Sequence, residues 1–192
     1  MRSSTLFPVF LKLDGRRVLV VGGGTVATGK VTALLDAGAV VTVVSPCVTD
    51  VIARAPVHIE RRRFKPADLD PSWLVIAAAT PAVNRQVARA AAQRRVFVNA
   101  VDDPSNASAY LGGVVRRSGV TLAISTDGNA PALAGLLREG LNALLPADLD
   151  RWTTVARVER ARWKKAGVPM PHRRRQLLDA LNAIYANGDA QA

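Results

Sequence analysis

The chain has 192 residues, 49% hydrophobic and 21% charged, which excludes global disorder and suits one domain, or one domain with a smaller appendage. A net charge of +11 attracts anions: nucleic acid, an acidic membrane surface or a small polyanionic substrate. With one cysteine, Cys47, and two histidines, His58 and His172, an internal disulfide and a Cys/His structural metal site are excluded.

The first 17 residues lack the sustained apolar core and small-residue cleavage site of a signal peptide, and no apolar run approaches the roughly 18 residues of a membrane span. The expected location is the cytoplasm, with no membrane partner. Residues 18–21 form a β-branched apolar run ending at glycine, a buried strand. From Thr25 to Asp36, Ala27, Val31, Leu34 and Leu35 recur at helical spacing, and Gly38 sits where a helix stops. Residues 39–46 read as a second strand, completing a βαβ unit with a right-handed crossover. The stretch from Val51 to Asp70 holds a short helix and an edge strand around 57–62. A strand at 73–79 follows. Thr80 is placed to cap a helix that begins at Pro81 and runs to about Gln93. A further strand covers 96–101. This alternation predicts an α/β domain with a Rossmann-like parallel sheet and helices on both faces.

The pattern changes after Asp103. Two β-rich segments separated by "RRSG" predict a hairpin, and the stretch from Asn129 to Pro146 predicts a helix opened by Pro131. Helices over Leu149–Ala166 and 173–186 follow, with a frayed tail at 187–192. Three parts are expected: a Rossmann-like domain at 1–108, a hairpin-plus-helix unit at 109–146, and a basic helical domain at 147–192. The middle part is too small to bury a core of its own.

Gly22-x-Gly24-x-x-Ala27 fits the dinucleotide fingerprint. The first glycine permits the turn and the second lets backbone approach a pyrophosphate. The N–H groups of Thr25 and Val26 at the helix start face the phosphates. A glycine turn in an α/β protein without a nucleotide shares the pattern; the strand before it and the helix after it favour binding. Ligands in such sheets lie beyond the carboxyl ends of the strands, here Gly22 to Thr25, Ser45-Pro46-Cys47, Thr80 and Asn99 to Asp103. The acidic residue expected about 20 residues on, for the ribose of NAD, is absent. Ser45-Pro46-Cys47 stands there, and no arginine is adjacent to suggest a 2′-phosphate, so NAD is expected in preference to NADP. Backbone groups and the Ser45 hydroxyl are expected to serve the ribose. Cys47 reads as a packing residue rather than a reactive thiol. Asp102 is the ionisable group best placed for chemistry, although position alone equally allows a turn carboxylate. Asp103-Pro104 reads as a turn opener.

"GGGTVATGK", "AAATPAVNRQV" and "VNAVDDPSNASAYLGGVVRRSGVTLAISTDGNAPALAGLLRE", with the basic helical end, resemble the dehydrogenase–chelatase module of siroheme synthase. The resemblance spans nearly the whole chain. It implies NAD-dependent oxidation of precorrin-2 to sirohydrochlorin, and in many members insertion of ferrous iron, a substrate rather than a resident cofactor. It implies an interlocked homodimer built through the middle unit. Asp102 matches the family's proposed general base, and Arg116, Ser125, Thr126 and Asn129 become candidates for holding the tetrapyrrole. The eight carboxylates of that substrate give the positive charge a small-molecule explanation. Three residues depart from the family pattern: Gly29 for a basic residue, Asp127 for a glycine and Ala130 for a serine. Thr126 stands where some relatives carry a phosphorylatable serine. Competing readings are a monofunctional dehydrogenase, a non-catalytic NAD-binding sensor, and a nucleic-acid binder. Against the last, aromatics are only 5% and no recognition motif occurs.

Overall fold

In the computed structural model, which describes residues 6–186, five short strands, four of them mainly apolar, pair in parallel. They are β1 (Arg17–Val21), β2 (Val40–Val44), β3 (His58–Glu60), β4 (Leu74–Ala77) and β5 (Phe97–Ala100), in the order β3-β2-β1-β4-β5. The edge strand expected near 57–62 is β3, and the other four match their predicted ranges, β1 gaining only Arg17. α1 (Thr25–Asp36), the short α2 (Asp50–Arg54) and α3 (Pro81–Arg94) supply the crossovers. β1 and β4 read as unbroken apolar runs because both sheet faces are covered. Side chains alternate between faces. Val18, Val20, Val41, Val43 and Ile76 pack with Val31 and Leu34 of α1 and Ile52 of α2. Leu19, Val21, Val44, Val75 and Val98 pack on the opposite face with Val87 and Ala91 of α3. Strand order reverses between β1 and β4, which places the ligand crevice at their carboxyl ends.

After β5 the segment through Ala109 closes the sheet edge. Ser108 and Ala109 both donate N–H to the Val98 carbonyl, and the Ser108 hydroxyl accepts the Val98 N–H at 2.9 Å. Asn99 is buried and its amide donates to the Ala109 carbonyl. No open β5 edge remains along Val98.

The hairpin predicted around "RRSG" is β6 (Gly113–Arg117) and β7 (Val120–Ile124). Ser118 and Gly119 both take positive φ, as a two-residue hairpin turn requires. α4 (Pro131–Leu144) packs on one hairpin face through Ala134, opposite Gly113. Arg117 donates to the carbonyls of Asn142 and Leu145, satisfying groups that the end of α4 leaves open. α5 (Leu149–Ala166) ends at Gly167, and α6 (Met170–Ala186) returns antiparallel to it. Trp152 Nε1 donates to the Tyr185 hydroxyl at 2.6 Å, and that hydroxyl donates to Asp148.

Three sequence readings need correction. α6 starts at Met170, three residues before the predicted Arg173, because Pro171 is tolerated in a first turn whose N–H groups have no helical partner. Thr80 occupies the cap position of α3, yet its side chain makes no capping bond. Cys47 is exposed rather than packed. The frayed tail predicted at 187–192 lies outside the described residues.

Packing groups the chain into two compact units. Residues 6–111 and the loop Ser125–Ala130 form the first; Gly112–Ile124 and residues 131–186 form the second. The division read from sequence draws its lines differently, at 108 and 146. The packing gathers the hairpin, α4, α5 and α6 together and gives the loop after β7 to the sheet. No helix among the described residues is long and apolar enough to cross a membrane.

Candidate functional site

The crevice begins at the turn after β1. Gly22 has φ +119°, and a Cβ there would overlap the Ala78 carbonyl at the end of β4. A Cβ on Gly23 would overlap the Cys47 carbonyl after β2. The turn is thus wedged between the two neighbouring strand ends. Gly24, by contrast, is exposed, and a Cβ there would meet nothing within 4 Å. It is the N-cap of α1, and no side chain caps this terminus. Thr25 and Val26 are exposed in the first turn. A wedged turn, an open approach and an uncapped helix start fit a pyrophosphate received by backbone N–H groups.

Three polar residues that sequence reasoning missed brace this turn and the loop after β4. The Thr28 hydroxyl lies 2.8 Å from that of Thr49, and the Thr49 N–H donates to the Gly23 carbonyl. Asn84, buried on α3, accepts the Ala79 N–H at 2.9 Å and so holds the loop from β4 into Thr80. The available signal for Asn84 was a polar residue in register with Val87, Ala88 and Ala91 on the apolar face of an amphipathic helix. The Ser45 hydroxyl, expected to serve the ribose, is instead buried and donates to the Cys47 carbonyl at 2.6 Å, which shapes the Ser45-Pro46-Cys47 bend.

At the end of β5 two adjacent carboxylates have separate fates. Asp103 accepts from the Ser105 hydroxyl at 2.7 Å and the Asn106 amide at 2.8 Å. These hydrogen bonds hold its carboxyl below the usual carboxylate range. Asp103 therefore anchors the 3₁₀ turn Pro104–Asn106. Asp102 is exposed, with φ +56°, inside a tight turn closed by the Asp103 N–H on the Ala100 carbonyl. Its carboxylate makes no hydrogen bond or ion pair among the described residues. A left-handed non-glycine residue is uncommon, and such backbone outliers gather at functional sites.

The loop Ser125–Ala130 belongs to the same unit. Gly128 sits against Pro104 and Tyr110, so closely that a Cβ would press on both side chains. The loop is thereby seated on the segment that follows Asp102. Within it the Ser125 hydroxyl accepts the Asp127 N–H, and the Asn129 N–H donates to the Thr126 carbonyl. Asp127 is exposed with φ +52°. Arg116 lies in the second unit, on the exposed hairpin face opposite Thr121. Its neighbour Arg117 points the other way, to the end of α4. Gly29 is exposed in α1 with open space around it. No cluster of three or more metal-ligating side chains occurs among the described residues.

A doubly wound parallel sheet with a glycine turn at its switch point defines a Rossmann-like dinucleotide-binding protein. The family model described as "Putative NAD(P)-binding" matches residues 9–113, and the chain belongs to that family. It is 42% identical over 95% of its length to siroheme synthase 3 of Aeromonas hydrophila, and 40% identical over 96% to siroheme synthase of Salmonella arizonae. It spans about two-fifths of the length of these curated relatives, 41% and 43% respectively. The solved structure of SirC, precorrin-2 dehydrogenase, superposes with a TM-score of 0.71 at 28% identity, covering 91% of this chain and 88% of that one. The resemblance drawn from the motifs is upheld, and so is the Rossmann-like fold with its helical C-terminal part.

Proposed function

We propose that this chain oxidises precorrin-2 to sirohydrochlorin with NAD, and that Asp102 accepts the proton. The observation that carries the reading is the unengaged Asp102 carboxylate on the cofactor edge, in a chain similar over nearly its full length to a precorrin-2 dehydrogenase. The residues fit NAD at Gly22, Gly24, Thr25 and Val26, with Ser45, Pro46 and Cys47 on the β2 side of the glycine turn and Thr80 on the β4 side; when bound, it would supply the oxidant by accepting a hydride from the tetrapyrrole. The substrate gives up two electrons and two protons. One proton leaves with the electron pair, and Asp102 takes the other. Ser125, Thr126 and Asn129 are assigned to the tetrapyrrole, with Arg116 and part of the basic helical end receiving its carboxylates. Among the cations of α5 and α6, Arg160, Lys164, Lys165, Arg174 and Arg175 are exposed and suited to this. The expected compartment is the cytoplasm, and nucleic acid is at most a non-specific ligand.

Iron insertion is the second activity assigned to the site. The same carboxylate takes pyrrole N–H protons as ferrous iron enters. The active species is a homodimer, a reading supported by α4. Leu133, Leu136, Leu137, Leu141 and Leu144 recur on it at helical spacing, and all are exposed, Leu136 at 66% and Leu144 at 80%.

The test is anaerobic incubation with precorrin-2 and NAD, followed by absorbance with and without ferrous iron. Sirohydrochlorin and NADH in equal amounts are expected, then siroheme once iron is added. Product formation without iron insertion assigns a monofunctional dehydrogenase. NAD binding with no turnover leaves a sensor module and overturns the enzyme reading.

A further inference from the structure

The carboxyl end of β2 lacks the acid that selects an unphosphorylated ribose, and no arginine follows it in sequence. The sheet brings arginines there from another strand. β2 and β3 pair in parallel with Val44 beside Glu60, and the Ser45 N–H donates to the Glu60 carbonyl at 3.1 Å. The residue after Glu60 therefore stands next to the position that the acid would occupy. It is Arg61, the first of Arg61-Arg62-Arg63.

The charged groups of this corner divide into engaged and unengaged. The Glu60 carboxylate is held by His58 Nε2 at 2.8 Å and Arg62 Nε at 3.3 Å. Arg62 also grips Asp68 through both terminal nitrogens, at 2.9 and 2.8 Å. Arg61 and Arg63 are exposed, and neither forms an ion pair among the described residues. Neighbouring strands lie about 4.8 Å apart, a distance an arginine side chain exceeds. One acid competes: Asp50, exposed in the first turn of α2 beyond the Ser45-Pro46-Cys47 bend.

We infer that Arg61, delivered by β3 to the end of β2, together with the exposed Arg63 two residues on, forms a subsite for the 2′-phosphate of an adenosine nucleotide, so that the chain accepts NADP as well as NAD. The inference rests on the nucleotide reading of the glycine turn. The guanidinium fork matches phosphate geometry, and the phosphate meets cations whose charge no carboxylate already neutralises. Ser45, with its hydroxyl turned to Cys47, presents no charge that would repel a 2′-phosphate.

The experiment is calorimetry with 5′-AMP, 2′,5′-ADP and NAD on the full chain. The first two differ only in the 2′-phosphate. The native chain is expected to bind 2′,5′-ADP about tenfold more tightly than 5′-AMP or better, given charge-assisted bonds of this kind. That ratio should collapse toward one in the Arg61→Ala/Arg63→Ala double variant, weaken with added salt, and persist in part in Arg61→Lys/Arg63→Lys. A native chain that binds 2′,5′-ADP no better than 5′-AMP overturns the inference while NAD binding leaves the glycine-turn reading standing. A preference that survives the double alanine variant also overturns it, as does a preference for 5′-AMP that Asp50→Asn relieves, since the ribose then belongs to Asp50. Failure of all three nucleotides to bind removes the nucleotide reading and the inference together.

Discussion

In the first unit every central strand meets a helix on each face, and Val18, Val20, Val43, Val75 and Ile76 are fully buried without help from another molecule. In the second, Val115, Ala134, Leu149 and Trp163 are the buried apolar residues, while a row of leucines on α4 faces outward. Trp163 adds to the contrast, because its buried indole N–H has no hydrogen-bond partner among the described residues. The difference shows where each unit's stability originates. A doubly covered sheet closes its own core, whereas a two-stranded hairpin with three helices that bury four apolar residues between them leaves the leucines of α4 uncovered. On the proposed reading, the proton-accepting carboxylate belongs to the doubly covered unit, and the dimer contact to the unit that leaves its leucines exposed.

The largest expected effect tests the second unit. Leu136→Glu combined with Leu144→Glu removes two leucines from the proposed contact, each worth about 1.5–3 kcal/mol when buried. Sedimentation at micromolar concentration should show dimer for the native chain and monomer for the variant. A native chain that sediments as a well-folded monomer breaks the contrast.

Next come two glycines two positions apart in the first unit. Gly22→Ala places a Cβ on the Ala78 carbonyl at a left-handed φ, and should destabilise by about 3 kcal/mol or more in thermal unfolding. Gly24→Asp meets no neighbour, so the melting temperature should hold while calorimetry finds NAD binding abolished by a like charge at the pyrophosphate. Equal NAD affinity in Gly24→Asp would falsify the assignment of this turn.

The neighbouring carboxylates sharpen the picture further. Asp102→Asn keeps size and suits a left-handed φ, so it should fold and bind NAD, yet oxidise precorrin-2 about a hundredfold more slowly or worse. Asp103→Asn weakens a turn anchor and should alter turnover far less. Equal losses in the two variants would reduce both to structure. If iron insertion survives in Asp102→Asn, the two activities do not share a base.

The smallest effect concerns the loop that connects second-unit elements but packs in the first. Asp127→Gly relieves a left-handed aspartate, worth up to about 1 kcal/mol, and removes a negative charge from the proposed binding face for a polyanion. A modest rise in melting temperature and a lower KM for precorrin-2 are expected. An unchanged KM places Asp127 away from the substrate.

Most of the architecture was legible because its signals are local. Short apolar runs, helical spacing from Thr25 to Asp36 and the glycine fingerprint each declare themselves within a dozen residues. Those signals were enough for the parallel sheet, the hairpin and the cofactor edge. Side-chain roles that depend on a partner far along the chain were not readable. Thr80 looked like a cap, but Asn84 holds that loop, because only the packed helix turns its amide toward the Ala79 N–H. Asp103-Pro104 read as a turn opener in sequence, and the fold supplied the partners, Ser105 and Asn106, that engage Asp103 and leave Asp102 without one among the described residues. Arg116 and Arg117 were likewise adjacent, and strand alternation sent them to opposite faces. Strand pairing placed Arg61 beside Ser45, sixteen residues away, through a hydrogen bond that no linear spacing reveals. The sequence by itself determined which segments become strands and helices, since that choice is made by neighbours a few residues apart. The tertiary structure decided which polar groups stay unengaged, since a hydrogen-bond donor or charge is committed only when folding brings its partner within reach.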